Sequence, residues 1–244
     1  MELFEAFAKA QSPLSLSEIA RALGAPASSC FNLIRALEAR GYLYLVEPKR
    51  LYPTHRLFEV ARSIAAREPW MDLLEPILTD LRDETRETVI VGKRQGNRVI
   101  YLEVFEGPQT IRYSASAGDL KPLHSSSVGK ALLGMLEPSE LAELLKHLPL
   151  KRVTGATIVN RQKLIADLER SRRRGYFMTV GENVADVTAV AIGLRLDSQA
   201  YGIAVAGPMS RMRETLGRHI SALKTASTSI TELSRERAAA NGIG

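Results

Sequence analysis

At 244 residues the chain has room for one large domain or two of ordinary size, and it reads as two. Its 45% hydrophobic and 25% charged residues are those of a soluble globular protein. It has no apolar run long enough for a bilayer, and Glu2 and Glu5 sit where a secretory leader needs positive charge, so the expected location is cytoplasmic with no membrane partner. One cysteine, Cys30, and four histidines without ligand spacing exclude an internal disulfide and point to no metal or cofactor; a net charge of +6 suits a polyanionic partner without establishing one.

Leu3, Phe4, Phe7 and Ala8 predict a short amphipathic helix at the start of the chain. Ser15 to Leu43 then predicts two helices around a tight turn. Ser15 and Glu18 form a capping box, Gly24-Ala25-Pro26 makes the turn, and the second helix runs from near Ala27 to Gly41. Cys30, Leu33, Ile34 and Leu37 form its inward stripe, which makes Cys30 a small core hydrophobe rather than a redox group. Ser28, Ser29, Asn32 and Arg35 lie opposite, with groups that bond phosphates and base edges. Tyr42 to Val46 and Leu51 to Pro53 predict a hairpin whose tip carries Lys49 and Arg50. Three helices and a hairpin are the order of a winged helix-turn-helix, where Lys49 and Arg50 reach phosphates or the minor groove; the plainer alternative is a solvated turn.

Thr54 to Arg67 predicts a linker helix with Leu57, Phe58, Ala61, Ile64 and Ala65 on one side, closed by Glu68-Pro69. The expected division is therefore a DNA-binding domain over 1–53, a linker over 54–69 and a second domain over 70–244. The second domain opens with a helix carrying Leu73, Leu74, Ile77, Leu78 and Leu81, followed by strands at Thr88 to Lys93, Val99 to Phe105 and Thr110 to Ser116. Gly118 to His124 reads as a loop, and Ser125-Ser126-Ser127 opens a helix running to Leu136. Hydroxyls beside free helix amides suit a carboxylate or phosphate, although composition alone favours plain capping. Helices follow at Glu137 to His147 and Asn160 to Arg174, the latter ending in an arginine run that reads as a solvated helix end. Val187 to Leu196 and Tyr201 to Ala206 predict buried strands. A closing helix carries Met212, Leu216, Ile220, Leu223, Ile230 and Leu233, and Ala238 to Gly244 forms a fraying tail.

These residues resemble the IclR family of bacterial transcription regulators along nearly the whole chain. The likeness is carried by LSLSEIARALGAPASS and LIRALEARGYL, by PLHSSSVGKALLGML from Pro122 to Leu136, by RRRGY from Arg172 to Tyr176, and by GIAVAGPMSRM from Gly202 to Met212. Four motifs in this order are strongly specific. The resemblance implies an N-terminal all-α winged helix-turn-helix domain, a linker helix and a C-terminal α+β GAF-like domain with an antiparallel sheet. It implies a homodimer or homotetramer that binds double-stranded operator DNA and controls a nearby catabolic operon, with a small carboxylate effector that shifts the DNA-competent population.

Carried over residue by residue, the family's pocket lies at Leu123, His124, Ser125, Ser126, Ser127 and Val128, where the amides of Ser127 and Val128 meet the anionic end. Its strand positions are Thr179, Val187, Ala189, Ala204 and Ala206, with Tyr113 nearby. Several members carry an acid at the Thr179 position, a cysteine at that of Ala189 and serines at those of Ala204 and Ala206. The three alanines predict a wider, less polar pocket and an aromatic or branched acid rather than a tiny oxoacid. At the DNA end, Ala27 and Asn32 stand where many members have cations, which shifts salt-dependent affinity onto Arg21, Arg35, Lys49 and Arg50. The alternatives are a stand-alone metabolite sensor with impaired DNA binding and, further off, a hydrolase using His124 with Ser125 to Ser127. The hydrolase lacks an orienting acid and a Gly-x-Ser-x-Gly elbow, so the expectation is no enzyme.

Overall fold

The computed structural model describes residues 2–46, 49–65, 69–196 and 198–240, and the chain falls into two compact units, Met1–Asp72 and Leu73–Gly244. The N-terminal unit contains helices α1 (Glu2–Ala10), α2 (Leu16–Leu23) and α3 (Ala27–Ala39), strands β1 (Leu43–Val46) and β2 (Arg50–Pro53), and helix α4 (Arg56–Ala65). The capping box forms as the residues dictate. The Ser15 hydroxyl accepts the Glu18 amide at 3.3 Å, and the Glu18 carboxylate accepts the Ser15 amide at 2.8 Å. Gly24 takes the left-handed conformation at φ 58° and donates its N–H to the carbonyls of Ala20 and Arg21, ending α2.

The core of this unit is Leu3, Phe7, Leu14, Ile19, Cys30, Ile34, Leu43 and Leu51. Cys30 is a buried core residue, as its stripe position predicts. Leu33 departs from the expected inward stripe and is exposed. The small core meets α3 along the narrow ridge of Cys30, Ile34 and Leu37, which leaves position 33 on the flank. β1 and β2 pair antiparallel from Leu43↔Pro53 to Val46↔Arg50, and a bridge from Leu14 to Leu51 joins the loop before α2 to this hairpin. Glu47 and Pro48 of the expected tip, and residues 66–68 at the expected end of the linker helix, lie outside the described residues. On α4, Phe58, Val60 and Ile64 remain exposed within the single chain.

The C-terminal unit takes in most of helix α5 (Pro69–Thr85), then strands β3 (Thr88–Gln95), β4 (Arg98–Phe105) and β5 (Leu120–Pro122). Helices α6 (Ser127–Gly134), α7 (Pro138–His147) and α8 (Arg161–Arg174) come next, and strands β6 (Phe177–Val180), β7 (Val187–Leu196) and β8 (Gln199–Pro208) lead to α9 (Met209–Ala240). The strands form one antiparallel sheet in the order β5-β4-β3-β8-β7-β6. Ile90, Ala189, Ala191, Ala204 and Ala206 face the core that α6 closes, whereas Val89, Val91, Val190, Ile203 and Val205, one register away, are buried on the other side. Burial on both faces explains why β7 and β8 read as continuous apolar runs. α9 packs on these two strands.

Three further expectations are corrected. Thr110–Ser116 is irregular rather than a strand, because the ladder position beside β4 belongs to β5, inside the segment expected to be a loop. Side chains hold the irregular stretch instead: Thr88 Oγ1 donates to the Tyr113 carbonyl at 2.5 Å, and Arg112 and Ser114 both bond Glu106. The arginine run is not simply solvated, since Arg172 donates to the carbonyls of Gly134 and Leu136 at 2.8 and 2.7 Å and closes the end of α6. The expected frayed tail is helical to Ala240, and residues 241–244 lie outside the described residues.

Candidate functional site

α3 starts after Pro26 with no side-chain cap, so its first amides are open to solvent, and Ser28, Ser29, Asn32 and Arg35 are all exposed. Arg35 holds its guanidinium 5.9 Å from the ring centre of Phe31, an exposed aromatic residue outside the polar set expected on this face. Arg21 is exposed beside α1, in a shallow groove that also contains Glu2, Glu5 and Lys9. Lys49 is exposed at the described end of the hairpin tip.

Arg50 has a different role in the free chain from the one its position suggests. Its Nε donates to the Pro13 carbonyl at 2.9 Å, and its Nη2 donates to both carboxylate oxygens of Glu18 at 3.0 and 2.7 Å. The Ser15 amide and hydroxyl, followed by Arg50, hold the Glu18 carboxyl down to about 2. Arg50 thus fastens the hairpin to the capping box of α2, and a phosphate would compete with Glu18 for it. Sequence spacing conceals this partnership across 32 residues.

In the C-terminal unit a cavity of about 330 Å³, counted to its open mouth, lies between α6 and the sheet, and its enclosed part has room for little more than one water. Of the expected residues it brings together Tyr113, Ser126, Ser127, Thr179, Val187, Ala189 and Ala206. Leu123, His124, Ser125, Val128 and Ala204 are buried outside this lining. Strand register accounts for the separation of the alanines. Thr179, Ala189, Ala206 and Thr88 form one row across β6, β7, β8 and β3, whereas Ala204 belongs to the next row with Ala191 and Ile90. Val128 points into the sheet, where glycine at 202 leaves it room: a Cβ there would lie 2.8 Å from a Val128 methyl.

Sequence reasoning missed Ile90, Tyr101, Asn183 and Val184 in the lining. Tyr101 was legible as an inward position of β4, while Asn183 and Val184 sit in an irregular loop without periodicity. Burial and the neighbouring Tyr113 hydroxyl push the Tyr101 phenol above its ordinary value, so it stays a neutral hydrogen-bonding group. Ser126 caps α6, accepting the Gly129 amide at 3.1 Å and donating to the Pro122 carbonyl at 2.9 Å. The amides of Ser127 and Val128 are the other first-turn donors of this helix. None of the described lining residues carries a charged side chain. An anion entering this cavity would find only amides and hydroxyls to bond.

Lys130, wholly buried one turn into α6, was the other missed residue; its signal was a lysine inside an apolar helical run. Its Nζ donates to Asp167 at 2.8 Å and to Glu182 at 2.6 Å. Burial raises the Glu182 carboxyl even against this ion pair. Thr154 and Thr157 donate to the carbonyls of Gly181 and Glu182, at 2.6 and 2.7 Å, so the loop that carries Asn183 and Val184 is held at both side chain and backbone.

His124 is buried, and that burial lowers its pKa, which keeps the ring neutral near pH 7. Nε2 lies 2.9 Å from the Lys151 carbonyl and so carries the proton, leaving Nδ1 without a partner among the described residues. The ring is bonded to a backbone carbonyl rather than oriented by an acid, and Ser125 Oγ is likewise without a partner among the described residues. This is not a nucleophile–base pair.

Residues 1–47 match the IclR helix-turn-helix domain, and residues 65–232 match the C-terminal domain of the bacterial transcriptional regulator IclR. The chain is 31% identical over 205 residues to the HTH-type transcriptional repressor AllR of Salmonella typhi, covering 82% of this chain and 75% of that one. The AllR of Escherichia coli K12 is 30% identical over the same extent. Among solved structures, Thermotoga maritima IclR is 27% identical with a TM-score of 0.79, covering 94% of this chain and 97% of its own. An IclR homologue from Microbacterium hydrocarbonoxydans, complexed with 4-hydroxybenzoate, shares the fold at 23% identity and a TM-score of 0.76, covering 96% of this chain and 97% of that chain.

Proposed function

The chain belongs to the IclR family of bacterial transcriptional regulators, and on that premise we propose that it is a repressor released or reinforced by a small acid with an apolar, aromatic or branched body. The carrying observation is the cavity at the start of α6. Amides and neutral hydroxyls gather at one side, and Ala189 and Ala206 stand in the row that continues from Thr179. A carboxylate meets the helix amides and the hydroxyls of Ser127 and Tyr113, while an apolar body lies along Ile90, Val187 and the alanines. Entry requires the mouth to widen, and Val184 and Asn183 are its more exposed lining residues. That the Microbacterium relative holds 4-hydroxybenzoate supports this choice of ligand class.

DNA binding is assigned to Ser28, Ser29, Asn32 and Arg35 on α3, with Arg21, Lys49 and, in exchange for Glu18, Arg50 neutralising phosphates. Exposed Phe58, Val60 and Ile64 on α4 suit contact with a second copy, which favours a homodimer or an assembly of dimers. Calorimetry with 4-hydroxybenzoate, benzoate, glyoxylate and pyruvate tests the pocket. Binding of the aromatic acids with at least tenfold preference is expected; tight glyoxylate or pyruvate with silent aromatics overturns it. Gel shift with the intergenic DNA beside the protein's own gene tests the other end. A shift that the bound acid changes is expected, while ligand binding with no shift on that DNA favours a stand-alone sensor.

A further inference from the structure

The exposed stripe of α3 reads Ser28, Phe31, Asn32, Arg35, the i, i+3, i+4, i+7 set that lies opposite buried Cys30 and Ile34. Three of the four are hydrogen-bonding groups. The fourth, Phe31, occupies the middle of the stripe and is 50% exposed. Arg35 arches over its ring at 5.9 Å, so the ring and the guanidinium are presented together on the outer face of the helix. An apolar ring on a face that is otherwise polar has a natural counterpart in the major groove, where thymine alone presents a methyl group between hydrogen-bonding edges.

We propose that Phe31 is a specificity-determining residue that reads a thymine 5-methyl group, flanked by Asn32 and Arg35, which bond neighbouring base edges or phosphates. The inference rests on the DNA-binding reading of α3. It accounts for how a reading helix with Ala27 and Asn32 in place of cations retains sequence preference: part of the discrimination passes from charge to an apolar contact. Such a contact adds little to the salt dependence of binding, because it releases no counterion.

The test uses the full chain and a duplex recovered by it from a randomised library. Each thymine of that duplex is replaced singly by deoxyuridine, which removes the methyl and leaves every hydrogen-bonding group in place. For the wild type, one or more thymines in each half-site are expected to cost about fourfold in affinity on this replacement, the size of one buried methyl. Phe31→Ala binds the parent duplex more weakly and shows no loss at those thymines, and Phe31→Leu keeps part of the sensitivity. Melting curves of both variants should match the wild type, since the ring is outside the core. Equal deoxyuridine sensitivity in wild type and Phe31→Ala, or no sensitive thymine in a duplex that is bound selectively, overturns the proposal while leaving the DNA-binding reading intact. Failure of the wild type to select any duplex removes both.

Discussion

Two helix starts in this molecule, those of α3 and α6, offer the same first-turn amides and treat them in opposite ways. α3 begins after Pro26 without a side-chain cap, and its first three residues are exposed. α6 begins with a capping hydroxyl from Ser126, and Ser127 to Leu133 are all buried. Gly129 lies so close to Leu123 that a Cβ would come within 2.2 Å of the Leu123 carbonyl oxygen. Free amides attract anions in both places. Their surroundings choose the anion. At α3, water and salt compete and the neighbours are extended polar side chains, which suits a large polyanion met at many points. At α6, water is largely excluded and the neighbours are two tyrosines, serines and a threonine, which suits one small acid held by few bonds.

The contrast can be broken most forcefully at Lys130. Lys130→Ala leaves the buried Glu182 without its cation and Asp167 with only the exposed Arg170 at 3.5 Å, and is expected to cost the C-terminal unit about 3–5 kcal/mol in urea unfolding. Combining Lys130→Met with Glu182→Gln should recover much of that loss. A single substitution that costs nothing would mean that the buried lysine is not what holds the loop carrying Asn183 and Val184. On the α3 side, Asn32→Ala and Arg35→Ala are each expected to weaken operator binding by about 1–3 kcal/mol in gel shift if they read bases, with calorimetric binding of the acid unchanged. Loss of acid binding in either variant would erase the distinction between the two helix starts.

Acid should separate the two units by a smaller margin. His124 and His219 are buried, and desolvation lowers both below the ordinary 6.5. An unfolded chain takes up protons at these sites before the folded one does, so their contribution is present above about 6.5 and declines as the pH falls through the lowered folded values. Glu182, raised by burial, acts in the opposite sense and is relieved by protonation. In the N-terminal unit the corresponding group is Glu18, whose contribution holds down to 4.5 and is lost as the pH falls toward about 2. Unit-specific spectroscopic probes followed from pH 7 to 3 should show the C-terminal unit weakening first, and His219→Gln should flatten its slope between pH 7 and 5.

Local devices were legible in the sequence because their partners are near in the chain. Ser15 and Glu18, Gly24, and the Asn160 cap of α8 each take the geometry that their residue types require. What was not legible depended on competition between distant segments. Thr110 to Ser116 has strand-like residues, but the edge of β4 goes to Leu120–Pro122, and Ile111 is left exposed. Arg50 has the chemistry of a phosphate ligand and finds a carboxylate at home. Ala204 and Ala206 look equivalent in a run of small residues, yet only Ala206 shares the row of Thr179. Sidedness in a strand follows from alternation, but distance from a cavity mouth follows from register, and register is set by the whole sheet.

That row has a consequence for how such a protein acquires a new ligand. Thr179, Ala189 and Ala206 sit on adjacent strands, about 4.8 Å apart, at positions locked by backbone ladders that do not depend on their side chains. Adding one oxygen or one methyl at any of them alters the chemistry met by a small molecule at a fixed spacing along its length, without changing the route of the chain. On the proposed mode of binding, divergence among effectors can proceed by single-atom steps along a straight line, while the opposite end of the ligand keeps the same helix amides.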